Sequence, residues 1–215
     1  MVQKDKPRRG RPRAYDPDRA LAQATAAFWD AGYAGTSLDD LSAATGMNRP
    51  SLYGAFGDKH TLYLKAIEGY RAVARAGMQT ALPQEGPLKA ALGGLYQRAI
   101  SLYLSGEHGP RGCLLVSTAA TEAVMDAEIR RAARAALEEI DAAFEARFRH
   151  AREQGDLPRS TDPAALAKLA SAVLHMLSIR ARIGTSRAVL EQIAASGVDL
   201  ICGPGPTARR KAPPG

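Results

Sequence analysis

Between residues 46 and 63 the chain reads GMNRPSLYGAFGDKHTLY. Arg49, Ser51, Tyr53 and Lys59 stand close together in it, and each type has a natural anionic partner. Serine and tyrosine hydroxyls and a lysine ammonium satisfy phosphate oxygens, and arginine is the commonest reader of guanine. That is recognition chemistry. Catalytic patterns do not accompany it: His60, His108, His150 and His175 are scattered, with no HExxH, GxSxG or GxxxxGK[ST]. The sequence is therefore read as no enzyme, with no cofactor and no metal. His175, within VLHML, reads as a core or pocket-wall residue, and Arg180 and Arg182 need only the dipole of their helix C-terminus.

The two cysteines, Cys113 and Cys202, are far apart and form no CxxC pair. This argues against a disulfide scaffold or a structural zinc site and suits a reducing cytoplasm. Cys113 lies in EHGPRGCLLVST, in the first turn of an expected helix, two residues after Arg111 and near His108. A helix N-terminus and a nearby cation both lower a thiol's pKa, which makes Cys113 a candidate redox or electrophile sensor. The other reading is a small buried hydrophobe, as cysteine usually is.

Charge is unevenly placed. Of the net +7, residues 1–15 hold +5 (six Lys or Arg against one Asp) and residues 203–215 hold +3. The body, 16–202, is left at −1. Both basic ends are rich in Pro and Gly and read as disordered. They suit either a polyanion partner or a solubilising role. No apolar run approaches the roughly 20 residues of a membrane span, so no membrane partner is expected.

Apolar residues recur at helical spacing almost everywhere, so the expected class is all-α. A first helix runs from about Pro17 to Ala31, with Asp16 as N-cap, an inner stripe of Leu21, Ala24, Phe28 and Ala31, and Gly32 as its stop. A short second helix follows Ser37, capped by Ser37 with Asp40 or by Thr36 with Asp39. A third spans about Arg49–Phe56 and a fourth runs from Lys59 to about Ala76. After a Pro83–Pro87 linker come Leu88–Ser105, Gly112–Ala120, Ala127–Gln154, Pro163–Ile183 and a helix capped by Ser186.

Two short helices joined by a Gly-containing turn fit a helix-turn-helix, whose second helix enters a DNA major groove. Leu52 and Phe56, at i and i+4, face inward and leave Arg49, Pro50, Ser51, Tyr53 and Gly54 outside. Gly54 costs about 1 kcal/mol against Ala in a helix, which suits a backbone that must approach base edges. Ordinary connecting helices would also fit this pattern.

Residues 16–73 closely resemble the DNA-binding domain of TetR-type transcriptional regulators. The matching elements are Gly32-Tyr33, Thr36-Ser37, Leu41, Gly46, Leu52-Tyr53, Phe56 and Lys59. The resemblance implies a front domain over 16–76 and a ligand-binding and dimerisation body over 83–202. It implies base reading by Arg49, Pro50, Ser51 and Gly54 and phosphate contacts from Ser37, Tyr53 and Lys59. Gly54 departs from the larger side chain of many members, so less sequence is read directly there. The arm Arg8, Arg9, Arg11 and Arg13 would follow the backbone or enter a minor groove.

The partners implied are a double-stranded, palindromic operator, a second copy of the chain and an unidentified small-molecule inducer. The last two helices would pack on their copies through Leu166, Ala170, Val173 and Leu177, and through Leu190, Ile193 and Ala194. Those stripes would equally close the chain's own core. The GC-L segment at Cys113 resembles a subgroup that includes thiol-based sensors. The competing function is a helical binding or enzyme-like body whose helix-turn-helix is only an interaction module.

Overall fold

Side-chain caps decide where the front helices start. In the computed structural model, described for residues 16–106 and 109–203, Asp16 accepts from the backbone N–H groups of Asp18 and Arg19. This opens α1, Pro17–Gly35. Ser37 and Asp40 close a capping box at the head of α2, Leu38–Thr45. Asn48 caps α3, Arg49–Phe56, and Asp58 caps α4, Lys59–Ala81. Each such cap stabilises its helix by about 1 kcal/mol. Thr36 takes no part in capping α2: it is buried, and its hydroxyl donates to the Gly32 carbonyl at 2.6 Å.

Gly32 breaks the helical path as expected, with φ of 78°, but helical turns resume and carry α1 to Gly35. Leu21 is only half-buried and Ala31 is exposed, while Ala20 and Trp29 join Ala24 and Phe28 in the core. The N-terminal arm, His108 and the basic tail lie outside the described residues.

The body comprises α5 (Leu88–Leu104), α6 (Leu114–Ala120), α7 (Glu122–Met125), α8 (Ala127–Gln154), α9 (Pro163–Arg182) and α10 (Arg187–Cys202). Every regular element among the described residues is helical. α4 runs five residues past Ala76, because Met78 and Ala81 are buried against the body and tertiary packing extends the helix. One continuous core joins the parts: Phe28, Leu41, Leu52, Phe56 and Tyr63 in front, and Leu92, Leu115, Phe144, Phe148 and Leu174 behind. Burying each of these large side chains contributes about 1.5–3 kcal/mol.

α4 and α8 run side by side in the same direction. His60 Nε2 lies 2.9 Å from Asp126, Arg71 Nε lies 2.9 Å from Glu139, and the Gly86 carbonyl accepts from Arg147 at 2.7 Å. α8 then packs against α9, and α5, α9 and α10 pack on one another.

The expected dimer stripes need correction. Ala170, Leu177, Leu190 and Ala194 are buried inside a single chain, and Leu166, Val173 and Ile193 are half-buried against the same core. They close the chain's own interior. The large apolar residues left exposed are Leu169, Met176 and Ile179 of α9 and its C-cap Ile183, on a different face. α10 leaves Val189 and Leu200 exposed. By length and composition alone α9 is apolar enough to cross a membrane, a test that a core helix also passes, and Lys168 and Arg180 still interrupt its apolar run. The excess is explained by apolar groups on two faces, one in the core and one outside.

Candidate nucleic-acid interface

α3 presents a nearly bare outer surface. Leu52 and Phe56 pin it to the core, while Arg49, Pro50, Tyr53 and Gly54 are exposed and Ser51 is half-buried. A Cβ built on Gly54 would meet nothing within 4 Å, and its φ is not positive. Among the described residues, neither packing nor backbone strain calls for glycine there. Pro50 sits in the first turn, where no intrahelical N–H bond is lost. At the other end, Lys65 Nζ donates to the Phe56 carbonyl at 3.3 Å and closes the C-terminus of α3.

Arg49 is held within the chain. Its Nη2 donates to the two carboxylate oxygens of Asp39 at 2.8 and 2.7 Å, and its Nε donates to one of them at 3.1 Å. Asp39 entered the sequence reading only as a possible cap partner. A bidentate geometry between residues ten apart on two helices leaves no signal in either helix's pattern.

The phosphate candidates are each engaged locally. The Ser37 hydroxyl donates to Asp40 at 2.7 Å, and these contacts with Ser37 lower the Asp40 carboxyl's pKa. Lys59 Nζ sits 4.4 Å from the centroid of the Tyr33 ring, a cation–π contact at the foot of α4. Tyr53 projects from α3 with 47% of its surface exposed. Ser37 and Lys59 stand at the starts of α2 and α4, and Tyr53 lies within α3.

In the body, a cleft of about 230 Å³ opens between α4 and α8. Met78, Leu82, Leu115 and Ile140 form apolar walls, and Arg71, Arg75 and Glu139 line it as well. Glu139 accepts from both guanidinium groups: Arg71 Nε at 2.9 Å and Arg75 Nη2 at 3.0 Å. The hydrogen bonding from Arg71, then that from Arg75, holds the Glu139 carboxyl down at about 2.

Cys113 lies in an environment unlike the expected one. It is the N-cap of α6 rather than a residue inside it, and it is only 4% exposed. Burial is the largest influence and pushes its thiol pKa up, against opposing hydrogen bonds from Tyr70, backbone N–H groups of α6 and Tyr103. Tyr70 Oη is 3.4 Å from the sulfur. The Arg111 guanidinium lies 4.0 Å above the Trp29 ring. The helix N-terminus read from the sequence is present at Cys113, and burial outweighs it. His175 of α9 is half-buried, and burial lowers its pKa.

Comparison with known proteins follows this geometry. The family model described as "Bacterial regulatory proteins, tetR family" matches residues 20–66. The one described as "Tetracyclin repressor-like, C-terminal domain" matches residues 90–196. The HTH-type transcriptional repressor ComR of Escherichia coli K12 is 30% identical over 194 residues, covering 89% of this chain and 91% of ComR. The TetR family regulator CifR, solved as a cysteine mutant with 26-bp double-strand operator DNA, is 32% identical with a TM-score of 0.80. That match covers 87% of this chain and 98% of CifR. Reduced NemR of E. coli, 21% identical with a TM-score of 0.74 over 84% of this chain and 94% of NemR, shares the fold. On both halves of its sequence and on its all-helical architecture, the chain belongs to the TetR family of DNA-binding transcriptional regulators.

Proposed function

We propose that this regulator acts as a dimeric repressor, released from a palindromic operator by a small molecule bound between α4 and α8. The observation that carries the DNA-reading half is the outer surface of α3. It exposes Arg49, Pro50 and Tyr53 around a Gly54 whose Cβ position no described residue approaches within 4 Å. In this reading Arg49 leaves Asp39 for a base edge, Pro50, Ser51 and Gly54 let the backbone come close, and Tyr53, Lys59 and Ser37 hold phosphates. The Ser37 hydroxyl must turn from Asp40 to do so, although the α2 capping box keeps its backbone N–H bond. Arg8, Arg9, Arg11 and Arg13 add sequence-independent attraction to the phosphate backbone.

The second copy packs through the face that a single chain leaves uncovered: Leu169, Met176 and Ile179 of α9 and its C-cap Ile183, with Val189 and Leu200 of α10. The first four are spaced 7, 3 and 4 apart, a stripe suited to a helix–helix seam. A twofold dimer matches half-sites about 34–36 Å apart, or a multiple of that. CifR was solved on a 26-bp operator duplex, and we carry that mode of binding to this chain.

Release runs through α4, which reaches from Lys59 at the DNA edge to Ala81 beside the cleft, about 34 Å for 23 residues. A ligand that parts α4 from α8 at Met78 and Leu82 moves the other end of the same rigid helix. Its binding energy acts only to the extent that the parted state binds it better.

The test begins by selecting a duplex from a randomised library with the full chain. Gel-shift titrations against salt and sedimentation with and without the duplex then follow. A dimer on a palindrome with strongly salt-dependent affinity supports the reading. Salt-independent binding, or none, would return the front domain to the role of a protein-interaction module.

A further inference from the structure

α9 meets α1 at a junction centred on Trp29, the chain's single tryptophan. The indole Nε1 donates to the buried Gly112 carbonyl at 3.1 Å. Tyr70 packs edge-on against the ring at 4.8 Å. The Gly112 backbone has φ of 65°, and a Cβ there would lie 2.9 Å from the Ser178 carbonyl of α9, so only glycine lets the two segments touch. The next N–H, that of Cys113, donates to Ser178 Oγ at 2.8 Å.

Arg182, the last residue of α9, completes the junction. Its Nη1 donates to the carbonyls of Arg111 at 2.8 Å and Trp29 at 3.3 Å, and its Nη2 to that of Asp30 at 3.3 Å. Trp29 and Asp30 stand in the last turn before the Gly32 break, where carbonyls lack intrahelical donors. A guanidinium fork can serve several such acceptors at once, and its charge suits a helix C-terminus. The sequence offered only a dipole role for Arg182. Its partners come from α1 and from the segment before α6, 71 and 152–153 residues away.

We infer that Arg182 is a positioning residue: it fastens the front helix α1 to the end of α9 and so fixes the spacing of the two DNA-reading helices from the dimer seam. Ile179 and Ile183, on the exposed apolar face, flank it along the chain. The inference rests on the dimeric reading above. Where α4 transmits from the cleft, this second link transmits from the twofold axis.

The experiment compares two duplexes, the palindrome selected by the full chain and one carrying a single half of it. The parent, Arg182→Ala, Arg182→Gln and, as a control on the same turn, Arg180→Ala are titrated on both. Loosened spacing should cost Arg182→Ala about tenfold on the palindrome and leave the half-site unchanged. Arg182→Gln, whose amide can still donate to one or two carbonyls, should lie between, and Arg180→Ala should match the parent. Trp29 emission should shift to the red in Arg182→Ala, with helical circular dichroism intact. If the parent is monomeric or shows no preference for the palindrome, the dimeric reading fails and takes this inference with it. If the parent prefers the palindrome and both Arg182 variants keep that preference and the Trp29 emission, only the role of Arg182 is overturned. Equal losses on both duplexes would also overturn it, as damage to the reading helix itself.

Discussion

Asp39 of α2 holds Arg49 of α3 through both carboxylate oxygens, at 2.7 and 2.8 Å, across the turn that joins the two helices. Both side chains are more than half exposed. An ion pair so open to water contributes little to stability, so it orients Arg49 without trapping it. A base edge offering a bidentate contact in the groove can compete for the guanidinium. Asp39 also brings a negative charge to a surface that must approach phosphates.

Asp39→Asn should therefore strengthen DNA binding, and more on random duplex than on the selected operator. Removing the carboxylate lifts a repulsion common to all sequences, while the lost pre-orientation of Arg49 matters only at its base. Thermal stability should change little, within about 0.5 kcal/mol. Titrations of both duplexes at one salt concentration check this; weaker binding to random duplex would contradict it.

Deleting residues 1–15 should weaken binding to every duplex and flatten the salt slope. The segment holds +5 of the charge, and each phosphate it neutralises contributes about 0.9 to the slope on B-DNA. A truncated protein with the parent's slope would show that the arm takes no part.

Glu139→Gln should loosen α4 from α8 and reveal itself by pH. The contacts from Arg71 and then Arg75 lower the carboxyl from 4.5 to about 2. Because the folded value is the lower one, the stabilisation is complete above about pH 5 and is lost as pH falls towards 2. With Glu139 about one-third exposed, the mutation should cost about 1 kcal/mol at pH 7. Urea midpoints should converge with the parent's near pH 2. A gap of the same size at both pH values would contradict the account.

Cys113 should react slowly with a small alkylating agent while the protein is folded. Burial raises its thiol pKa and closes access, so modification waits on local opening. Once attached, the added bulk must disturb the buried Leu114 and Leu115 and should release operator DNA. Mass spectrometry over time, with Cys113→Ser as control, follows both steps. Rapid modification in the native state would restore the reactive-thiol reading.

Helix order apart from the four-residue α7, most boundaries and the front motif were legible because they rest on local signals. Asp16, Ser37, Asn48 and Asp58 cap their helices with neighbours two or three residues away. Which stripe of α9 the chain itself covers was not legible, because both of its faces are apolar and periodicity cannot choose between them. Ala170 and Leu177 fall on one side and Met176 and Ile179 on the other. The Cys113 environment failed for a related reason. Proximity to Arg111 in sequence says nothing of where that guanidinium goes, and it lies on Trp29. Asp39–Arg49 and Arg182 share the same blindness, being contacts between elements rather than within them.

The most direct test of the account is the base preference of Arg49→Ala. The parent and the variant are titrated against the selected operator and against duplexes changed one base pair at a time. If α3 reads the major groove through Arg49, the variant loses about 1–3 kcal/mol on the operator. It should also stop discriminating at one position in each half-site while keeping the parent's preferences elsewhere. An Arg49→Ala protein that keeps the full profile, or that weakens equally on every duplex, would contradict the account.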